Sequence, residues 1–212
     1  IITLVGCTRS LNVNYIGEAA TDKNRAPNEL SIAVDKFDDQ RSWVKAGDER
    51  SESIVATQGA WKFSITYNDK SYSPANEIIQ DLFINEFNKA GYKASPNKSD
   101  TEYDYLLSGK IIDFSFYNEV GMWTVTARRQ ATLSISLVGK NGEEVFSNST
   151  FSHTHRKNMG PISPNGPNVN RLLNTALATV ISEVLDKMHN DLAYMNTDIN
   201  VVVNGVEWNK TL

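Results

Sequence analysis

The clearest constraint on this chain is the stretch MWTVTARRQATLSISLV, residues 122–138, which alternates apolar and polar side chains with a period of two. Trp123, Val125, Ala127, Ala131, Leu133, Ile135 and Leu137 fall on one face, and Thr124, Thr126, Gln130, Thr132, Ser134 and Ser136 fall on the other. A strand of that kind belongs to an antiparallel sheet with one face on a core and one face in water. Its neighbours are written beside it. Tyr105 to Tyr117 reads as a partner strand, and Asn141-Gly142 in GKNGEE supplies a hairpin turn that returns as Val145 to His155. Arg129 breaks the pattern, because it falls on the apolar side. Three readings follow from its position: a contact with a ligand or partner, a buried pair with an acid such as Asp113, or a bulge that turns it outward.

An apolar sheet face needs a cover, and two helical segments offer one. Ser73-Pro74 predicts a helix start with Ser73 as N-cap and Pro74 in the first helical position, and Gly91 is the matching stop. Between them Ile78, Ile79, Leu82, Phe83 and Phe87 form one stripe. Asn168 caps a second helix in which Val169, Leu172, Leu173, Ala176, Leu177, Val180, Ile181, Val184, Leu185 and Met188 recur at three- and four-residue steps. ELSIAVDKF adds a core strand through Leu30, Ile32 and Val34, ended by Asp38-Asp39-Gln40-Arg41, and Tyr92 to Ala94 can leave the first helix as a strand. The expected fold is α+β: a two-layer sandwich of a mainly antiparallel sheet with two long helices on one face, spanning residues 29–194. Residues 42–72 read as a long decorated connection holding one strand, Trp61 to Tyr67. After the second helix, the tail 195–212 reads as a hairpin of Ile199–Val203, Asn204-Gly205 and Val206–Trp208. An isolated hairpin is marginal in water. It is expected to pair with the chain's own sheet or to meet a partner by strand addition, with Trp208, Val201 and Val203 as contact residues and Arg129 as a fourth candidate.

The 212 residues carry a formal net charge of -4 and no cluster of Lys and Arg, which argues against a nucleic-acid partner. No internal window approaches the roughly 18 apolar residues of a membrane-spanning helix. The one cysteine, Cys7, has no second thiol for a disulfide. Its context is Leu4-Val5-Gly6-Cys7, which resembles the bacterial lipobox, where a small residue precedes the cysteine that is cleaved at and acylated. The competing reading is a buried strand, IITLV, that ends in Gly-Cys. On the lipobox reading residues 1–6 are the remnant of a signal peptide. Cys7 then carries acyl chains worth roughly 0.8 kcal/mol per buried methylene, and residues 7–28 form a stalk, although LNVNYIG alternates well enough for a short strand. By resemblance to Gram-negative lipoproteins, Thr8 after the cysteine, rather than Asp, favours the outer membrane, with the body facing the periplasm.

Candidate chemistry elsewhere is thin. His153 and His155 share one strand face, a spacing that can bind a metal, but no further ligands are signalled. Asp38, Asp39, Asp48, Glu49 and Glu52 lie in polar stretches where solvated surface is expected rather than a catalytic carboxylate pair with raised pKa. No nucleophile elbow, phosphate-binding loop or dinucleotide fingerprint is present. The expectation is a protein without catalytic residues, metal or cofactor.

The order of segments carries a resemblance. SPANEIIQDLFINEFNKAGYKA, YDYLLSGKIIDFSF with its motif Leu107-Ser108-Gly109-Lys110-Ile111, the long alternating strand, the Asn-Gly hairpin and NRLLNTALATVISEVLDKM together resemble the YajG-like family of bacterial lipoproteins over about residues 29–193. In layout the chain is also similar to the LPS-assembly lipoprotein and to auxiliary lipoproteins of phospholipid transport. The YajG-like family implies no established activity; the expected role is a non-enzymatic accessory of an envelope complex, with an envelope protein as partner. The alternative is a factor that handles lipid or LPS. The 42–72 segment and the tail have no counterpart in it.

Overall fold

The computed structural model describes residues 8–12, 19, 30–58, 61–67, 70–100, 102–120, 125–158, 168–195, 200–203 and 206–209. In chain order the elements are β1 (Thr8–Asn12), β2 (Ser31–Val34), β3 (Asp38–Asp39), α1 (Glu49–Glu52), β4 (Ile54–Gln58), β5 (Trp61–Tyr67), β6 (Lys70–Ser71) and α2 (Ala75–Lys89). They continue with β7 (Lys93–Pro96), β8 (Tyr105–Val120), β9 (Val125–Gly139), β10 (Glu144–Asn158), α3 (Asn168–Met195), β11 (Asn200–Val203) and β12 (Val206–Asn209). The fold is mixed α/β with a core made mainly of sheet, and among the described residues no sheet closes into a barrel. The larger sheet has the order β10-β9-β8-β2-β7, with β3 also on β8. The expected meander is there, with β8, β9 and β10 antiparallel. The other half of the sheet differs from the antiparallel expectation: β2 runs parallel to both β7 and β8, and β3 runs parallel to β8. Each of those pairings joins segments far apart in sequence, which a period-two pattern does not reveal.

Burial follows the alternation. On β9 Ala131, Leu133, Ile135 and Leu137 are wholly buried, while Gln130, Thr132, Ser134 and Ser136 are half-exposed. Helix α3 packs against β9 and β10, and α2 against β7, β2 and β3. Leu177, Val180, Ile181, Val184, Leu185 and Met188 of α3 and Ile78, Ile79, Leu82, Phe83 and Phe87 of α2 join the strands in one core cluster. Within it Phe37 stacks on Phe83 at 5.4 Å between ring centroids, Phe83 meets Phe87 edge-on at 5.6 Å, and Phe87 lies 5.9 Å from Tyr92. Phe37 also explains Gly109. A Cβ there would sit 2.6 Å from the Phe37 ring and 2.7 Å from the Ser134 carbonyl oxygen, so this strand position admits no side chain.

The helix and turn signals are read differently by the fold in two places. Helix α2 begins at Ala75 with Pro74 as an extended N-cap residue and no side-chain cap. Ser73 is instead drawn into the β5–β6 turn, where its Oγ accepts from the Tyr67 N–H at 3.1 Å. The stop is as expected: Gly91 has φ +94°, and the Tyr92 N–H reaches the Phe87 carbonyl at 3.0 Å. In the β9–β10 hairpin Gly142, not Asn141, takes the positive φ of +84°. The Gly142 N–H bonds the Gly139 carbonyl and the Gly139 N–H bonds that of Glu143, at 2.8 and 2.7 Å, the pattern of a three-residue loop closed by a glycine bulge.

The segment read as a decorated connection builds a second sheet. β5 lies between β1 and β4, with β6 on its end; β1 is parallel to it and β4 and β6 are antiparallel. The stretch 7–28 therefore contributes a strand, and Ala19 is buried in the core. The two sheets meet at Arg41, which is buried. Its Nε and Nη2 clasp Asp39 at 2.8 and 2.6 Å, Nη2 also reaches the Glu52 carbonyl at 2.6 Å, and Nη1 reaches those of Ile54 at 2.7 Å and Phe114 at 3.2 Å. The tail forms its own two-stranded ribbon, β11 on β12, with Val201 opposite Trp208 and Val203 opposite Val206 in register.

Two substitutions test this packing by denaturant unfolding. Leu133→Ala is expected to cost about 2–5 kcal/mol through lost transfer energy and a cavity. Gly109→Ala is expected to cost about 1–3 kcal/mol by overpacking against Phe37 and the β9 backbone. A loss near zero for either contradicts the helix-on-sheet core.

Candidate functional site

With the helices on one face of the meander, chemistry open to solvent gathers on the other, and the register defines it in rows. Asp113 lies opposite Thr132, which lies opposite Ser152; Ser115 opposite Gln130, then Thr154; Tyr117 opposite Arg128, then Arg156. Neighbouring strands stand about 4.8 Å apart and same-face residues about 7 Å apart, so the nine side chains cover roughly 10 by 14 Å. A bulge makes the β8 column. Ile111 pairs with Leu133 and the next pair is Asp113 with Thr132, so the extra residue turns Asp113 to the polar face and returns Phe114 to the core.

Burial across this face is graded. Ser152, Thr154 and Arg156 on β10 are exposed, Arg128, Gln130 and Thr132 on β9 are half-buried, and Ser115 on β8 is wholly buried where β4 packs beside the strand. The face is thus a step, deepest along β8. Ile112 and Tyr117, at 44% and 40% exposure, stand on either side of the deepest point. Arg128 Nη2 donates to Gln130 Oε1 at 2.8 Å, and the Thr132 and Ser152 hydroxyls are 2.8 Å apart. Burial pushes Asp113 above the usual carboxylate range, against the pull of Ser115, Arg41, Arg128 and the Phe114 amide toward the charged form. Three buried atoms here, Asp113 Oδ1, Ser115 Oγ and Arg128 Nε, make no hydrogen bond of good geometry.

The residues singled out from sequence are dispersed. Arg129 is on the apolar side, as the alternation requires, and is wholly buried. Its Nη1 donates to the Tyr117 and Arg128 carbonyls, each at 2.9 Å, and burial lowers its pKa to about 10. Asp113 acts on Arg41 and Arg128 instead, because the bulge lies in β8 and not in β9. His153 and His155 lie on the helix-side face, opposite Ala131 and Arg129, with ring centroids 6.4 Å apart. Among the described residues no group of three or more His, Cys, Asp or Glu could hold a metal ion. Of the acids expected in solvent, Asp39 is the exception: its side chain is 4% exposed and bound to Arg41, while Asp48 caps α1 through the Arg50 N–H at 3.0 Å. Cys7 lies outside the described residues, as do the side chains of Val201, Val203 and Trp208. Sequence reasoning missed the Asp113–Ser115–Arg128 group. The only signal was Arg128 on the polar face of the alternation; the bulge that brings Asp113 to it has no mark in the sequence.

No protein-family model matches the sequence, and no curated protein matches it. Among solved structures the chain is similar to protein XCC0632 from Xanthomonas campestris, of the family DUF330, at 15% identity and a TM-score of 0.51, over 89% of this chain and 98% of that one. At that identity the likeness shows a shared fold alone. More distant are PelC from Paraburkholderia phytofirmans, at 12% identity and TM-score 0.38 over 77% and 91% of the two chains, and a minor lipoprotein from Acinetobacter baumannii, at 9% and 0.34 over 79% and 93%.

The raised pKa of Asp113 fixes the sign of a pH effect. A carboxyl whose folded pKa exceeds its unfolded value favours the fold at low pH, and this contribution is lost as pH rises through the folded pKa. Asp113→Asn is therefore expected to melt above the parent protein at pH 7, with the gap closing below about pH 4, where both side chains are neutral. A variant that melts lower at pH 7 contradicts the dominance of burial.

Proposed function

We propose that this chain is a non-enzymatic lipoprotein, held by acyl chains on Cys7 at the periplasmic face of the outer membrane of a Gram-negative bacterium, where it serves as a binding or structural accessory of an envelope complex. The observation that carries the reading is Leu4-Val5-Gly6-Cys7, a small residue directly before the chain's one thiol. On this reading the acyl group on Cys7 supplies the anchor; no helix among the described residues is long and apolar enough to cross a membrane.

The body on this reading is a two-layer sandwich with α2 and α3 on one face, as the wholly buried faces of β9 and the helices support. The continuous cluster of packed side chains between helices and sheet favours an accessory over the alternative, a carrier that opens this interface to take an acyl chain. The β11–β12 ribbon is the proposed contact with an envelope protein, through Trp208, Val201 and Val203, because it is hydrogen-bonded to itself alone among the described strands and leaves both edges to receive a further strand. Arg129 is wholly buried, with its guanidinium taken up by the Tyr117 and Arg128 carbonyls.

Cys7→Ser is expected to give a folded protein that moves from the membrane fraction to the soluble periplasmic fraction on cell fractionation. Membrane retention of the variant contradicts the lipid anchor.

A further inference from the structure

We propose that the step on the outer face of the meander binds a saccharide, with the Tyr117 ring as stacking platform and Asp113, Arg128 and Gln130 as hydrogen-bonding groups. Native proteins leave few buried polar groups unmatched, and those they leave mark an absent partner or a functional site. Here three lie within two adjacent strands of one face: a carboxylate oxygen of Asp113, the hydroxyl of Ser115 and Nε of Arg128. The wholly buried Ser115 hydroxyl lies on the side of β8 that faces away from the helices, in the row between Asp113 and Tyr117.

The mixture of groups selects the ligand. An anion would match Arg128 and meet repulsion from Asp113; a cation would do the reverse; an apolar ligand would leave all three atoms unmatched. Neutral hydroxyl groups both donate and accept, so vicinal hydroxyls of one sugar ring can serve a carboxylate, a guanidinium and an amide together. The C–H face of the same ring needs an apolar surface. Ile112 and Tyr117, the exposed large apolar side chains of the described residues, stand on this strand beside those groups. A peptide strand fits less well, because it pairs with an open backbone edge, and here β8 is paired with β9 throughout, while its other edge is met by β3 at Lys110 and Ile111 and by Arg41 at the Phe114 carbonyl. Asp113 and Arg128 are half-buried as whole residues, so rotation of the carboxylate or guanidinium presents the unmatched atom at the surface.

The test uses the purified full chain in solution without membrane, so its failure leaves the lipid-anchor reading untouched. N-acetylglucosamine, its β-1,4 dimer, cellobiose, maltose and lactose are screened by saturation-transfer NMR, and any binder is titrated by calorimetry. At least one sugar is expected to bind, with Tyr117→Ala and Asp113→Asn each weakening it roughly ten-fold. Tyr117→Ala alters an exposed side chain, and Asp113→Asn, expected to melt above the parent protein at pH 7, removes the carboxylate from a folded chain. No transfer to any of the five sugars, binding that both variants retain, or displacement of the sugar by an extended peptide that pairs with β8 overturns the proposal.

Discussion

The Arg41 guanidinium is the joint on which the rest of this structure hangs. It has five N–H donors and five hydrogen bonds: two to Asp39, and one each to the carbonyls of Glu52, Ile54 and Phe114. Glu52 ends α1, Ile54 opens β4, and Phe114 follows the bulge of β8. One side chain thus ties the second sheet to the first at the place where β8 changes the direction of its side chains. A buried ion pair of this kind is held by satisfaction of every lone pair and proton around it rather than by Coulomb attraction alone. Truncating Arg41 would leave the Asp39 carboxylate, 4% exposed, without its counter-charge and remove a donor from each of three carbonyls, of which that of Ile54 keeps the Trp43 indole N–H at 2.9 Å.

That joint divides the labour of the sheet. The helix-side face is spent on packing, down to Arg129, whose guanidinium closes carbonyls on β8 and β9. What remains for recognition is the polar face, the strand edges and the C-terminal ribbon. On the polar face the second sheet beside β8 converts a flat row of hydroxyls into a step with a buried floor. The Phe37 ring packed over Gly109 shapes the same strand from the other side.

Where side-chain period and local turn chemistry decide the structure, the sequence was readable. The alternation of 122–138, the stripes of α2 and α3, Gly91 as a helix stop and the return strand after Gly142 all rest on contacts a few residues apart. Gly109 was noticed as part of a motif, and its reason is the Phe37 ring, supplied from seventy-two positions earlier, on the order of the separations no local pattern can encode. The parallel pairing of β2, the second sheet and the bulge at Ile112 were hidden for the same cause. Arg41 is the sharpest case. A run of Asp-Asp-Gln-Arg reads as a strand end in solvent, because polarity alone does not tell a solvated arginine from one that finds all its acceptors inside the fold.

The central claim is that Arg41 couples the second sheet to β8 and so builds the step. Amide hydrogen exchange of Arg41→Ala, read segment by segment against the parent protein, tests it most directly. Loss of protection concentrated in β4, β5 and residues 113–117, with β9 and the core side of α3 still protected, is the predicted result. Unchanged protection in β4 and β5, or an even loss across both sheets, would contradict it.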